Sequence, residues 1–231
     1  MKFLVGSIKS LTKFETVLWL GSVVVIVLSF LLPKEKDIVT LFASLIGATA
    51  LIFVSKGNVI GQILTVVFSV FYGVISYSFM YYGEMITYLG MTTPIAIISI
   101  ITWLKNPYKG NNREVQIKHL TIKEYIFLFV LATAITVGFY FILKVFNTNY
   151  LIISTISVFT SFAASYLTVR RSEFYAIAYA FNDVVLIILW VLATIAEIKY
   201  LPMIICFVVF LVNDLYGFFN WSKTKKRQML N

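Results

Sequence analysis

The sequence predicts an all-α polytopic membrane protein with eight transmembrane helices. They form two three-helix units on either side of a linker helix (3+1+3), with one extra helix at the N-terminus. Three observations carry this reading. The 231 residues are 60% hydrophobic and 13% charged, with a mean hydropathy of +0.92, whereas a soluble domain is near half apolar and a quarter charged. Eight apolar runs are long enough to span roughly 30 Å of hydrocarbon. The loops between them alternate between rich and poor in Lys and Arg, which sets topology. The same composition excludes other classes. Cys206 is the one cysteine, so no disulfide scaffold exists, and the lone His119 sits in a charged loop and offers no metal cluster. No cofactor is implied. The net charge of +9 is dispersed between apolar runs and gathers on no face that would bind nucleic acid.

The runs are 17–32, 38–54, 59–81, 85–104, 125–145, 150–168, 174–196 and 201–221. Lys2, Lys9 and Lys13 precede the first, as in a signal peptide. However, Ser29-Phe30-Leu31-Leu32-Pro33 lacks a small-x-small cleavage site, so this segment is read as a retained helix. With eight spans and both termini cytoplasmic, 15 of the 19 basic residues fall inside, leaving Lys34, Lys36, Lys144 and Lys199 outside. The implied location is a membrane with both termini on its cytoplasmic side, and the lipid bilayer is the protein's first partner.

Ser55-Lys56-Gly57-Asn58 before the third run resembles Arg170-Arg171-Ser172-Glu173 before the seventh. Ile101-Thr102-Trp103-Leu104-Lys105 likewise resembles Phe219-Asn220-Trp221-Ser222-Lys223. The chain therefore divides into an N-terminal segment with the extra helix (1–37), a first repeat (38–104), a loop and linker helix (105–149), a second repeat (150–222) and a basic tail (223–231). Three is odd, so run 125–145 is what lets both units point the same way. Parallel repeats place a substrate site near mid-membrane between the halves.

Candidate site residues are polar groups at mid-depth, where an Asp costs on the order of 2.5–3.5 kcal/mol without a partner, a cavity or a function. The seventh run carries Asn182-Asp183 and the eighth Asn213-Asp214, which the helical rise sets in one layer. Asn213, Tyr216 and Asn220 share a face of the eighth run. Gln62, Ser69 and Tyr72 stripe the third, and Tyr88 and Thr92 the fourth, where Pro94 marks a kink. Trp190, short of the outer boundary, suits packing or a ring clamp. The bland readings are helix-gluing hydroxyls and aromatic belts at Trp103, Trp221, Tyr81, Tyr82 and Tyr200. Glu84 and Glu197 are expected to be solvated at helix ends, and Lys225-Lys226-Arg227 to mark topology and a lipid surface.

Asn213-Asp214-Leu215-Tyr216-Gly217-Phe218-Phe219-Asn220-Trp221 with its short basic tail, together with Tyr82-Gly83-Glu84, resembles the PnuC family of bacterial vitamin transporters over about residues 38–225. The resemblance implies a SWEET-like fold, a homotrimer and facilitated diffusion of nicotinamide riboside, with a cytoplasmic kinase trapping the substrate. One departure stands out: Tyr175 and Ala178 occupy positions where members associated with nicotinamide riboside carry two tryptophans. Relatives carrying thiamine or deoxynucleosides stay open as alternatives. An ion-coupled symporter using Asp183 or Asp214 is a further one. It lacks an intramembrane basic partner for the carboxylate.

Overall fold

The computed structural model describes residues 7, 10–33, 37–78 and 81–230, apart from the side chain at position 112. Among these residues eight long helices follow in order: α1 (Lys13–Ser29), α2 (Ile38–Ser55), α3 (Val59–Ser78), α4 (Tyr82–Lys105), α5 (Ile122–Val145), α6 (Leu151–Val169), α7 (Tyr175–Ala196) and α8 (Leu201–Leu230). A small antiparallel hairpin, β1 (Pro107–Tyr108) and β2 (Asn111–Val115), joins α4 to α5. Among the described residues, the seven helices from α2 to α8 are long and apolar enough to cross a membrane. The helix expected at 17–32 is present as α1, but its 17 residues reach only about 25 Å.

Helices α2, α3, α4, α6, α7 and α8 each pack on the next, and α8 returns to α2, so six helices close a ring. Outside it, α1 lies on α2 and α8, and α5 lies on α6. The short polar turns after α2 and α6 form the same motif. Each helix ends in a left-handed residue, Gly57 (φ 67°) or Arg171 (φ 58°). The next amide closes back onto the last turn, Asn58 N to Phe53 O and Ser172 N to Leu167 O, both at 3.0 Å. Glycine takes this conformation freely, whereas Arg171 holds it at a cost of about 1–2 kcal/mol.

The two tryptophans expected in a boundary belt are instead buried, at 2% and 1% exposure for Trp103 and Trp221. Each indole N–H caps a last-turn carbonyl of the opposite three-helix segment. Trp103 donates to Thr168 O at 3.0 Å and Trp221 to Val54 O at 2.9 Å. Each carbonyl also accepts the amide of its left-handed turn residue, Arg171 N to Thr168 O at 3.0 Å and Gly57 N to Val54 O at 2.8 Å, so the indole fills the second acceptor position of a helix-end carbonyl. The matching continues into α1 and α5. Thr12 and Glu15 form a capping box on α1, and Thr121 and Glu124 form one on α5. Glu15 then pairs with Lys56, just past α2, and Glu124 with Arg170, just past α6.

Three further expectations are corrected. The last helix does not stop near Trp221 but runs to Leu230, because its polar turns find partners. Lys225 pairs with Glu173, Arg227 with Glu114, and Gln228 Oε1 accepts from Ile117 N at 2.8 Å. Glu84 is not solvated: it is 1% exposed, and Ser157 Oγ of α6 donates to it at 3.1 Å. Tyr81, expected at the outer belt, is also buried, its ring 5.2 Å from that of Trp190.

Candidate functional site

Inside the ring lies a narrow cavity of about 60 Å³. Helix α2 contributes Gly47, Ala50, Leu51 and Val54; α3 contributes Gln62, Thr65 and Phe68; α4 contributes Tyr88 and Thr92. From the other side come Tyr179, Asn182 and Asp183 of α7 and Phe207, Phe210 and Asp214 of α8. A Cβ at Gly47 would sit 2.4 Å from Phe210 Cζ, so any larger residue there would displace that ring. The volume holds one or two waters, so a nucleoside-sized molecule enters only when the helices part.

The α4 wall is shaped by a π turn at Tyr88–Thr92. Pro94 lacks the N–H that a regular helix needs at that point, and the wider turn takes up the break. Thr93 Oγ1 donates to Tyr88 O at 2.8 Å and meets Ser69 Oγ at 2.8 Å. Both Tyr88 and Thr92 thereby face the cavity. Asn182 is set by α6: its Oδ1 accepts from Thr160 Oγ1 and Ser161 Oγ, each at 2.8 Å. The amide NH₂ is the group it has left to offer.

Asp183 and Asp214 are 4% and 3% exposed and line the same cavity from α7 and α8. Asp183 Oδ2 has no partner among the described residues. Among the described residues no Lys, Arg or His lines the cavity. It is an acidic and partly aromatic space, in which a positive group gains more from each carboxylate than it would in water.

Aromatic plugs close both ends. At the basic end, which carries Lys56, Lys105 and Arg170, the Tyr175 ring meets Trp221 at 4.7 Å, and Trp221 meets Trp103 at 5.5 Å. At the other end Tyr72 stacks within 4.3 Å of Tyr88 and 5.7 Å of Phe207. Trp190 Nε1 donates to the Tyr72 hydroxyl at 3.0 Å behind them.

Of the twelve residues singled out from sequence, Gln62, Tyr88, Thr92, Asn182, Asp183 and Asp214 line this space. The other six are turned to structural partners. Ser69 holds Thr93, and Tyr72 with Trp190 builds the plug. Asn213 Nδ2 donates to Ser22 Oγ of α1 at 3.0 Å and to Val209 O at 2.8 Å. The Tyr216 hydroxyl donates to Glu15 at 2.9 Å, and Asn220 Nδ2 to Ser55 O at 2.8 Å. The shared face of Asn213, Tyr216 and Asn220 is real, but it looks toward α1 and α2. Phe68, Tyr179, Phe207 and Phe210 went unnoticed in the sequence because an aromatic residue within an apolar run gives no signal of facing a cavity.

A ring of apolar helices around a buried cavity lined by carboxyls, amides and aromatic rings is an architecture that suits a membrane carrier. The chain belongs to the nicotinamide mononucleotide transporter family, whose profile matches residues 37–223. It is 26% identical over 190 residues to the nicotinamide riboside transporter PnuC of Neisseria mucosa, covering 80% of this chain and 72% of that protein. It is 24% identical over 215 residues to the protein of the same name from Haemophilus influenzae, covering 93% and 92%. A crystal structure of the vitamin B3 transporter PnuC superposes with a TM-score of 0.84 at 24% identity, over 95% of this chain and 94% of that one. The fold is thus that of PnuC.

Proposed function

We propose that this protein takes up nicotinamide riboside across the bacterial cytoplasmic membrane by facilitated diffusion, and that a cytoplasmic kinase traps the substrate by phosphorylating it. The observation that carries the reading is the meeting of a carboxyl pair, amides and aromatic faces in one cavity. The pyridinium of nicotinamide riboside is a cation suited to the Tyr88, Tyr179 and Phe207 rings and to the charge of Asp183 or Asp214. The amides of Asn182 and Gln62 suit its carboxamide and ribose hydroxyls. The names of the two relatives support the same substrate.

The reading includes eight spans, with α1 counted as a span and both termini cytoplasmic, so that the basic end faces the kinase. It also includes a 3+1+3 duplication of α2–α4 and α6–α8, supported by the paired Schellman turns and the reciprocal Trp103 and Trp221 bonds. In a homotrimer, the outward faces of the least buried spanning helix, α5, with Phe127, Phe129 and Phe141, meet lipid or a neighbouring copy.

A second reading is carried by Tyr175 and Ala178, the positions that differ from the tryptophan pair. Tyr175 is spent on the contact with Trp221, which leaves fewer rings to face a cation and favours a neutral deoxynucleoside; thiamine, itself a cation, gains nothing from the change. Uptake into liposomes without kinase or ATP tests the main reading. Labelled nicotinamide riboside should equilibrate in the absence of a membrane potential, and a deoxynucleoside or thiamine should compete weakly. Uphill accumulation driven by a proton or sodium gradient, or uptake of thymidine alone, would overturn it.

A further inference from the structure

Phe219, Lys223 and Arg227 of α8 recur at every fourth position and so form one stripe along the helix. All three are exposed. The stripe passes from a ring to two cations over about 12 Å, the order met on leaving hydrocarbon for water. With Tyr216, Asn220 and Thr224 on the adjacent stripe, these residues wall a groove of about 820 Å³ at the basic end. Helix α1 closes it with Phe14, whose ring lies 5.3 Å from that of Tyr216, and the hairpin closes it with Asn111 and Arg113. Among the described residues, this groove and the cavity inside the ring share no lining residue. Six charged side chains line the groove. Glu15 pairs with Lys56 and Glu114 with Arg227, whereas neither Arg113 nor Lys223 has an acidic partner among the described residues. Asn111 Oδ1 accepts from Arg113 N at 3.1 Å, which leaves its NH₂ group as a donor.

A lone exposed Lys needs no occupant. Two unpaired cations from separate elements, lining one concavity beside an amide donor, complement an oxyanion, and a guanidinium suits phosphate oxygens in particular. Phosphate is also the anion of the membrane boundary, where basic pockets at the ends of spanning helices take lipid headgroups. We propose that this groove is a phosphate-ester site, with Arg113 and Lys223 holding the anion and the exposed rings of Phe14 and Phe219 flanking it. Two sources offer that chemistry. An anionic phospholipid would set its headgroup between the two cations and its chains along the rings. A soluble phosphate monoester would use the same cations and leave the rings in lipid. Either occupant joins the hairpin to α8 and α1 at the basic end, and neither needs the solute in the central cavity.

The test titrates the purified full-length protein in detergent with phosphatidylglycerol and, separately, with adenosine monophosphate, and reads occupancy by native mass spectrometry and thermal unfolding. Saturable binding of a single copy per chain, with a rise in melting temperature, is expected for one probe or both. Arg113→Gln combined with Lys223→Gln should weaken it by about 25-fold, about fivefold for each cation removed. Both side chains are exposed, so this variant should keep the fold. The control, Lys123→Gln combined with Lys226→Gln, removes the same charge from exposed positions outside the groove and should leave binding within about twofold. Saturation by phosphatidylglycerol identifies the occupant as a lipid, and saturation by the monophosphate identifies it as a soluble ester; either supports the site. Binding unchanged in the groove variant, equal weakening in both double variants, or no saturable binding of either probe would overturn it. None of these readouts involves transport, so the result is independent of which substrate is carried.

Discussion

Replacing Glu15 by Ala tests how α1 is held to the ring. The carboxylate is 1% exposed. It accepts from Lys56 Nζ at 2.8 and 3.0 Å, from the Tyr216 hydroxyl at 2.9 Å and from Thr12 N at 2.6 Å. One side chain therefore joins the start of α1 to the end of α2 and to the middle of α8. Breaking a buried ion pair by removing one partner costs about 3–5 kcal/mol. The Lys56 side chain keeps 19% of its surface in solvent, so part of the stranded charge rehydrates, and about 2–3 kcal/mol is the better estimate. For a chain of this size each kcal/mol lowers the melting temperature by about 2–4 °C, so a fall of roughly 5–10 °C is expected. Thermal unfolding in detergent, followed by tryptophan fluorescence, measures it. A double-mutant cycle with Lys56→Ala should show the pair costing less than the sum of its parts. Melting of Glu15→Ala within about 1 °C of wild type would refute the account of this anchor.

Three other outcomes follow from the same contacts. Asn213→Ala and Ser22→Ala each break one interhelical bond between α8 and α1. Each should lower stability by about 0.5–1.5 kcal/mol, and the double variant should lose scarcely more than either alone, which a thermal-melt cycle checks. Trp103→Phe and Trp221→Phe keep a ring but remove one of the two bonds to Thr168 O and Val54 O. Losses of about 0.5–1.5 kcal/mol are expected, equal within error if the halves are duplicates; a marked inequality counts against the duplication. A reporter fused after Asn231 should be active in the cytoplasm and one inserted at 34–37 should be external; cytoplasmic activity from 34–37 removes α1 as a span.

Apolar runs made the helices readable, because a span long enough for the bilayer leaves a long signature. Depth was readable too, since it follows from the rise per residue. Direction around the helix was not. Asn213 and Asp214 are adjacent and share a depth, yet about 100° of rotation separates them, sending one to Ser22 and the other to the cavity. Resolving that needs to know that α1 packs against α8, a contact between residues nearly 200 positions apart that no local pattern encodes. The helical extension past Trp221 was hidden for a related reason: its polar residues are held by Glu173, Glu114 and the backbone at Ile117. The boundary aromatics misled because a tryptophan near a helix end reads alike whether it meets lipid headgroups or caps a neighbouring helix.

The account's central claim is that substrate binds in the cavity between α2–α4 and α6–α8, and not on the α8 face toward α1. The most direct measurement compares nicotinamide riboside affinity in Asn182→Ala and Asn213→Ala by calorimetry at fixed pH. Asn182 lines the cavity, and losing its amide should cost about 1–3 kcal/mol, weakening binding by roughly 5- to 150-fold. Asn213 is bonded to Ser22 and Val209, and its loss should leave affinity within about twofold of wild type. Strong loss in Asn213→Ala with near-wild-type binding in Asn182→Ala, both variants folded, would contradict the claim.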